Sequence, residues 1–283
     1  MSEWKEYYPN GQLKSIFIGA DIAFDGKWTH WYENGKKKRE GAYKNGKKFG
    51  KWTYWWENGQ KEKEGSYTEG KEFGKWTWWR ENGQKFYERT YKDGVEDGLF
   101  TQWYSNGKKY KEGTFKDWER DGVWTEWLNN GQKASEIIYK DGERFLSNSW
   151  NKNGEIMVKD GHGLLTRWHE NGQKRKEGAY KDGKQDGLFT YWYENGQKEV
   201  EGTFKDGLMN GLWTYYFDNG NKNGEGSFIN GDGSDLGNTG IPKNGRDGLW
   251  TFRYENGQKK AEINYKDGKI ISSKYWDEDG NEK

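Results

Sequence analysis

The chain has no cysteine among its 283 residues, which excludes disulfides, thiolate metal sites and cysteine nucleophiles. Aliphatic residues are scarce, and no apolar stretch approaches the ~18 residues of a membrane-spanning helix. No apolar pattern of period 3.6 is sustained, so long helices are not expected. Histidine is rare: His30, His162 and His169 are the only three. His30 takes a strand position filled by Tyr54 or Trp78 in neighbouring segments and reads as a tolerated surface residue. His162 and His169 straddle an irregular stretch with poor spacing for a metal. No P-loop, no Ser-His-Asp order and no G-x-G-x-x-G leading into a helix is present. Neither sign of charge dominates, with 47 Lys plus Arg against 46 Asp plus Glu. A general nucleic-acid binder would show a basic excess. The segment MSEWKEYYPNGQ has neither the basic nor the apolar region of a secretory signal, so the expected location is the cytoplasm.

What the chain has instead is rings and a period. Trp, Tyr and Phe make up 18% of it, so its core must be built from large aromatic surfaces. A unit close to G-K-W-T-x-W-x-E-N-G-Q-K-x-x-E-G-x-Y-K-D-G recurs about every 24 residues, the mark of a solenoid or array. Asn34-Gly35, Asn58-Gly59 and Asn82-Gly83 mark the phase, which continues to Asn256-Gly257 and Asp279-Gly280. Asn-Gly between strand-like segments predicts a hairpin with a type I′ turn, in which both central residues have φ > 0. With Asn and Gly as those residues, Trp28 faces Gly41, Trp52 faces Gly65, Gly26 faces Tyr43 and Gly50 faces Tyr67. A ring then covers a bare glycine on the facing strand.

Alternation along strands puts Trp28, Trp52, Trp76, Trp124, Tyr43 and Tyr67 on one face. The other face carries Trp31, Trp55, Trp79, Trp103 and Trp127 beside Thr29, Thr53 and Thr77, which face Glu40, Glu64 and Glu88. Lys37, Lys61 and Lys85 fall on the face away from those glutamates. The first face is expected to be the better buried. The second Trp column either lines the inside of a curved sheet or forms a partner surface.

The fold class predicted is all-β: an elongated, twisted repeat sheet or solenoid of successive antiparallel hairpins, about 24 residues per repeat and about 12 turns. Residues 1–25 read as an N-terminal capping repeat and 26–142 as regular repeats. A shortened irregular repeat follows at 143–162, then regular repeats at 163–228. An inserted Gly/Asp-rich loop covers 229–247, and C-terminal repeats and a cap cover 248–283, all in one continuous repeat domain. The insertion adds no periodic aromatic, so it is expected to be dispensable for folding. Asn230, Asp232, Ser234 and Asp235 faintly resemble a calcium loop, but Ile241 stands where a bidentate Glu is required. The stretch therefore reads as a surface loop, of the kind that often carries individual function.

Gly178–Gly187, G-A-Y-K-D-G-K-Q-D-G, followed by L-F-T-Y-W-Y-E-N-G at Leu188–Gly196, resembles the MORN repeat. The W-Y-E-N-G-Q-K form is similar to its bacterial variant, the repeat of the YwqK-type antitoxin family. The resemblance covers nearly the whole chain and implies curved sheets of successive hairpins, with no catalytic residue to carry over. A weaker similarity is to aromatic-glycine cell-wall-binding repeats.

The function expected is therefore a non-enzymatic protein-interaction scaffold, in its sharpest form an antitoxin or immunity-like protein that neutralises a partner toxin. The alternatives are a membrane-surface or lipid-associated scaffold with peripheral membrane contact, or a glycan-binding repeat protein. Candidate partner-binding residues are Trp55, Trp79, Trp103, Trp127, Asp232 and Asp235. No catalytic, metal or cofactor site is expected, no nucleic-acid partner and no transmembrane segment.

Overall fold

The computed structural model describes residues 2–20, 25–236 and 240–283. Among these residues there are 24 β-strands and no helix, so the all-β expectation holds. Two compact units divide the chain, Met1–Glu143 and Arg144–Lys283.

The first unit holds β1 (Ser2–Tyr7), β2 (Leu13–Ala20), β3 (Asp25–Trp31), β4 (Lys37–Lys44), β5 (Lys47–Trp55), β6 (Lys61–Thr68) and β7 (Lys71–Trp79). It continues with β8 (Lys85–Lys92), β9 (Val95–Glu96), β10 (Gly98–Trp103), β11 (Lys109–Lys116), β12 (Glu119–Trp127) and β13 (Lys133–Lys140). The second holds β14 (Glu143–Trp150, save its first residue), β15 (Ile156–Lys159), β16 (His162–Trp168), β17 (Lys174–Lys181), β18 (Lys184–Trp192) and β19 (Lys198–Lys205). Its remaining strands are β20 (Leu208–Tyr216), β21 (Lys222–Gly231), β22 (Arg246–Arg253), β23 (Lys259–Lys266) and β24 (Lys269–Tyr275). Within each unit strands pair antiparallel with their chain neighbours, as β5 does with β4 and β6, and β18 with β17 and β19.

Each period contains two turns of different chemistry. At Asn34-Gly35, the Gly35 N–H donates to Tyr32 O at 3.0 Å and the Tyr32 N–H to Lys36 O at 2.8 Å. Gly35 has φ of 80°, while Asn34 keeps a negative φ. The loop is thus a three-residue type I turn closed by a left-handed glycine, not the type I′ turn expected there. The predicted register survives because a bulge between His30 and Trp31 shifts the ladder by one residue. Trp28 faces Gly41 and Gly26 faces Tyr43, and Trp52 faces Gly65 and Gly50 faces Tyr67. Type I′ geometry sits at the other end of the period, where Asn45 and Gly46 have φ of 51° and 72° between Lys44 and Lys47. Asparagine recurs at the three-residue turn for its side chain. Asn34 Oδ1 accepts the Lys36 N–H at 3.0 Å, and its Nδ2 donates to Glu57 O at 3.0 Å in the next period.

The same bulge corrects a second expectation. Lys38 has no ladder partner, so alternation restarts there and Lys37 lands on the face of Glu40. Lys37 and Glu40 pair at 2.5 Å, Lys61 and Glu64 at 2.8 Å, and Lys85 and Glu88 at 2.7 Å. The glutamate column is therefore neutralised lysine by lysine rather than left as a row of like charge.

The core is a lattice of rings lying on one face. Trp52, Trp76 and Trp124 are 0–1% exposed in the first unit, and Phe189, Trp213 and Trp250 are 0–2% exposed in the second. That face is the better buried one, as expected, but the ring over each glycine comes from a different hairpin than the facing residue. A Cβ on Gly65 would sit 2.1 Å from the Trp76 ring, and one on Gly41 would sit 2.2 Å from Trp52. Trp76 lies flat because its indole N–H donates to Ser66 O at 3.1 Å, one residue past the glycine it covers. Tyr67 then meets it edge-on, with centroids 4.9 Å apart at 81°. The second unit repeats the device with Gly202 under Trp213 and Phe204 on its edge. Gly50 is needed for another reason. A Cβ there would meet nothing within 4 Å, but its φ is +66°, which only glycine adopts freely.

The shortened repeat and the insertion lie in the second unit, apart from Glu143. β15 is four residues long and pairs with β14 at Ser149–Val158 and Trp150–Ile156 alone. The stretch read as an inserted loop, 229–247, begins inside β21 and ends inside β22. Between them Ile241 is 1% exposed and packs in one cluster with Trp213, Trp250 and Phe252. Arg246 is buried as well, bonded to Pro242 O, Ile241 O and the Tyr265 hydroxyl. Ile241 and Arg246 thus tie the described part of this insertion into the core.

Candidate interaction surfaces

Trp55, Trp79, Trp103 and Trp127 form one half-buried column in the first unit. Each ring lies beneath a lysine of the preceding hairpin: Lys37 stands 5.7 Å from Trp55, Lys61 5.4 Å from Trp79, Lys85 5.3 Å from Trp103 and Lys109 5.6 Å from Trp127. These are the lysines that pair with the glutamates. Thr53 and Thr77 complete the row by donating to Glu64 and Glu88 at 3.1 and 3.2 Å. Burial pushes the Glu64 carboxyl up, but Lys61, Lys51 and Thr53 together hold it below the usual carboxylate range.

Sequence reading missed what holds the column together. After Trp31, Trp55, Trp79 and Trp103 the following side chain reaches forward to the next Trp carbonyl. Tyr32 donates to Trp55 O at 2.8 Å, Trp56 to Trp79 O at 3.2 Å, Arg80 to Trp103 O at 3.2 Å and Tyr104 to Trp127 O at 2.8 Å. His169 occupies this position in the second unit, with Nε2 2.7 Å from Trp192 O. The signal was available, because the position often holds a long polar-tipped side chain, although Leu128 and Phe217 stand there in two periods. His30, expected at the surface, is half-buried and stacks on Trp28 at 5.4 Å.

Asp232 and Asp235 lie in the second unit. Asp232 accepts the Ser234 N–H at 2.8 Å and the Asn244 amide at 3.1 Å, and Asp235 stands 3.7 Å from Lys243. Their carboxylates shape the insertion, and among the described residues no three His, Cys, Asp or Glu side chains gather for a metal.

On the Thr–Glu side of the second unit, strand alternation adds an aliphatic column that was not anticipated. Leu164, Leu188, Leu212 and Leu249 are 51–61% exposed, each two residues before a buried or half-buried threonine. The first unit carries Leu99 and Val123 at the same positions, also exposed. The opposite, aromatic side of the second unit is not uniform either. Lys176 is held down to about 8 by burial and by Arg167, Arg144 and Arg175. Near it a cavity of ≈ 380 Å³ opens between Tyr191, Tyr215 and Pro242. A second concavity, of ≈ 580 Å³, lies between Phe217, Phe252 and Tyr254.

Hairpins stacked in register, rings on glycine, and side chains bonded one period ahead define an all-β repeat scaffold. The chain belongs to the MORN repeat variant family, whose model matches residues 2–17, 24–45, 50–69, 74–93, 96–117, 120–141, 161–182, 185–206, 209–230 and 246–267. No curated protein matches it. Among solved structures, the chain is similar to one titled "Crystal Structure of TcdB2-TccC3-Cdc42", at 12% identity and a TM-score of 0.22, covering 99% of this chain and 18% of that one. It is also similar to "Crystal Structure of TcdB2-TccC3", at 10% identity and a TM-score of 0.18, covering 95% and 17%. The chain thus spans less than a fifth of the solved chains it matches, and likenesses this loose carry no argument.

Proposed function

We propose that the chain is a non-enzymatic scaffold that binds another protein through its Thr–Glu side. The observation that carries this reading is the column Leu164, Leu188, Leu212 and Leu249, more than half exposed on consecutive hairpins of one unit. The leucines alternate with Ala179, Thr203, Ser227 and Asn264 on the intervening strands, so the row offers evenly spaced apolar anchors on a polar side. The half-buried column Trp55, Trp79, Trp103 and Trp127 extends the same chemistry in the first unit, as Trp is a frequent interface anchor.

The finer reading is that the partner is a toxin whose active face the scaffold covers. It is supported by the W-Y-E-N-G-Q-K form of the repeat. The lipid-surface reading has no basic excess behind it, and the glycan reading is opposed by rings of the aromatic face that lie against one another and by lysines that stand over Trp55, Trp79, Trp103 and Trp127.

The test is partner capture from the native host. Leu188→Asp with Leu212→Asp should leave the melting curve unchanged and abolish capture. Trp79→Ala with Trp103→Ala should weaken capture as well. Full capture by both variants would overturn the assignment of this side. For the toxin form, co-expression should relieve growth arrest caused by a toxin encoded beside the chain, and unrelieved arrest would remove it.

A further inference from the structure

On the aromatic face the chain covers its own rings with its own cations. The Arg39 guanidinium stands 4.6 Å from the Trp28 ring, Lys48 4.8 Å from Trp52, Lys63 4.7 Å from Tyr54 and Arg120 4.6 Å from Trp124. Two ladder positions supply these charges in the periods where they are basic, while others hold residues such as Tyr87 or Glu72. One is the residue facing the ring two after the core Trp, as Lys63 faces Tyr54. The other faces the ring that closes the preceding hairpin, as Lys48 faces Tyr43.

Across β18, β19 and β20 both positions lose their charge together. Val200 faces Tyr191 where Lys63 faces Tyr54, and Met209 faces Phe204 where Lys48 faces Tyr43. Tyr191, Trp213 and Tyr215 consequently carry no cation over their rings among the described residues. At this place the insertion stands against the sheet. Ile241 and Pro242 wall a cavity of ≈ 380 Å³ lined by those three rings, Val200 and Met209. That volume lies within the range of about 300–1,000 Å³ usual for ligand sites. Glu199 is the one charged residue lining it, is exposed, and has no ion pair among the described residues.

We propose that this cavity takes a lysine or arginine side chain from the protein partner, which supplies the cation the repeat omits here. The proposal rests on reading the chain as a protein-binding scaffold. An apolar stem fits Val200, Met209 and Pro242 while its charged head lies over the rings and beside Glu199. Two cations stand nearby, and neither fills the site. Arg246 is bound by Pro242 O at 2.8 Å, Ile241 O at 3.0 Å and the Tyr265 hydroxyl at 2.8 Å. Lys176 flanks Tyr191 from β17, on the far side from Val200. Two cations at one ring are already accommodated elsewhere, since Tyr54 has Lys48 at 5.6 Å and Lys63 at 4.7 Å.

Met209 provides a reporter. The chain has three methionines, and Met209 lines the cavity at 4% exposure. With isotope-labelled methionine methyl groups in the full chain, the probes are the capped tripeptides Gly-Lys-Gly and Gly-Arg-Gly, with capped Gly-Glu-Gly as control. The Met209 signal should shift saturably with the basic peptides and not with the acidic one, while Met157 stays still. Glu199→Gln, at an exposed position, should fold normally and weaken binding roughly three- to tenfold. Val200→Lys should restore the internal cation and abolish the shift with melting unchanged. No shift at Met209, an equal shift from the acidic peptide, or binding retained by Val200→Lys overturns the proposal. A silent Met209 combined with partner capture lost in the leucine variants overturns the cavity alone and leaves the scaffold reading standing.

Discussion

Gly65 and Arg89 occupy equivalent places in the first unit and are solved in opposite ways. Gly65 faces Trp52 and lies under Trp76. Arg89 faces Trp76, and the ring that comes next is the smaller Phe100, 5.5 Å from the guanidinium. Tyr87 lies 4.8 Å away on another side. At these two places the space is filled by a bare backbone and an indole, or by a guanidinium and a benzene ring. The second solution buries charge, and Glu96, 3% exposed, answers Arg89 at 3.0 Å. The chain deforms around the exchange. The strand breaks into β9 and β10, Asp97 N–H donates to Thr90 O, and Trp118 takes a φ of 70° in a turn where other periods place glycine.

The comparison is broken most severely at the indole. Trp76→Ala should cost about 3–5 kcal/mol, the range for emptying a buried tryptophan site, read as a shift in denaturant midpoint with unchanged slope. Phe100→Ala should cost less, because Arg89 can settle into the space. Gly65→Val comes next, at about 3 kcal/mol, the upper part of the overpacking range, because its Cβ meets the ring at 2.1 Å. Stability unchanged in that variant would show that Trp76 can leave the strand.

Arg89→Gly should cost about 2 kcal/mol, below the full cost of orphaning a buried charge because the Arg89 side chain is 32% exposed. Adding Glu96→Lys and Phe100→Trp converts the site to the regular solution and should recover most of that loss. A triple variant no better than the single one would mean the two solutions are not interchangeable.

The smallest effect lies in pH. Burial raises the Glu88 carboxyl, but Lys85 and Lys75 bring it net below its usual 4.5. Its contribution is present above that value and lost as pH falls. Burial raises Glu96 and Arg89 offsets this only in part, so its contribution is full in acid and lost as pH rises through its folded value. Glu88→Gln should therefore flatten the fall of Tm on acidification, and Glu96→Gln should steepen it. Identical Tm-against-pH profiles for the two variants would remove the distinction.

The hairpin order, the residue pairs and the buried face were legible in the sequence, because a period and an alternation together leave one register that puts rings on glycines. What was not legible followed from the bulges. A two-residue turn and a three-residue turn with one bulge give the same pairs at Trp28 and Gly41, yet opposite faces for Lys37. Pattern reading therefore found the ladder and misplaced the lysines. It also named the wrong ring over Gly65, because strand pairing looks across one hairpin while the indole reaches into the previous one. Of the candidate residues, the four tryptophans are placed in one column, but their capping lysines were invisible until the faces were known. The cavity had a signal that went unread: Val200 and Met209 are both apolar just before the insertion, at positions that carry Lys63 and Lys48 in an earlier period.

At the Asn-Gly ends the side-chain bonds that tie period to period point forward, whereas at the opposite ends backbone N–H groups point back, as Gly70 does to Lys48 O and Gly94 to Glu72 O. Tyr32, Asn34, Trp56 and Tyr104 give protons to carbonyls that come later in the chain. Asn219 keeps this habit across the insertion by reaching Glu255 O at 3.2 Å, whereas Arg167, beside the shortened period, reaches back to Trp150 O. The array therefore has a grain. On a ribosome, each Asn-Gly end emerges with its donors exposed and is completed by the next period, while each opposite end brings donors to the period already made. A whole period duplicated at an Asp-Gly turn would be received on both sides, since each of its ends repeats the donors and carbonyls of its neighbours. A fragment of a period would leave one side unanswered, so this architecture can lengthen or shorten by whole units far more readily than by parts.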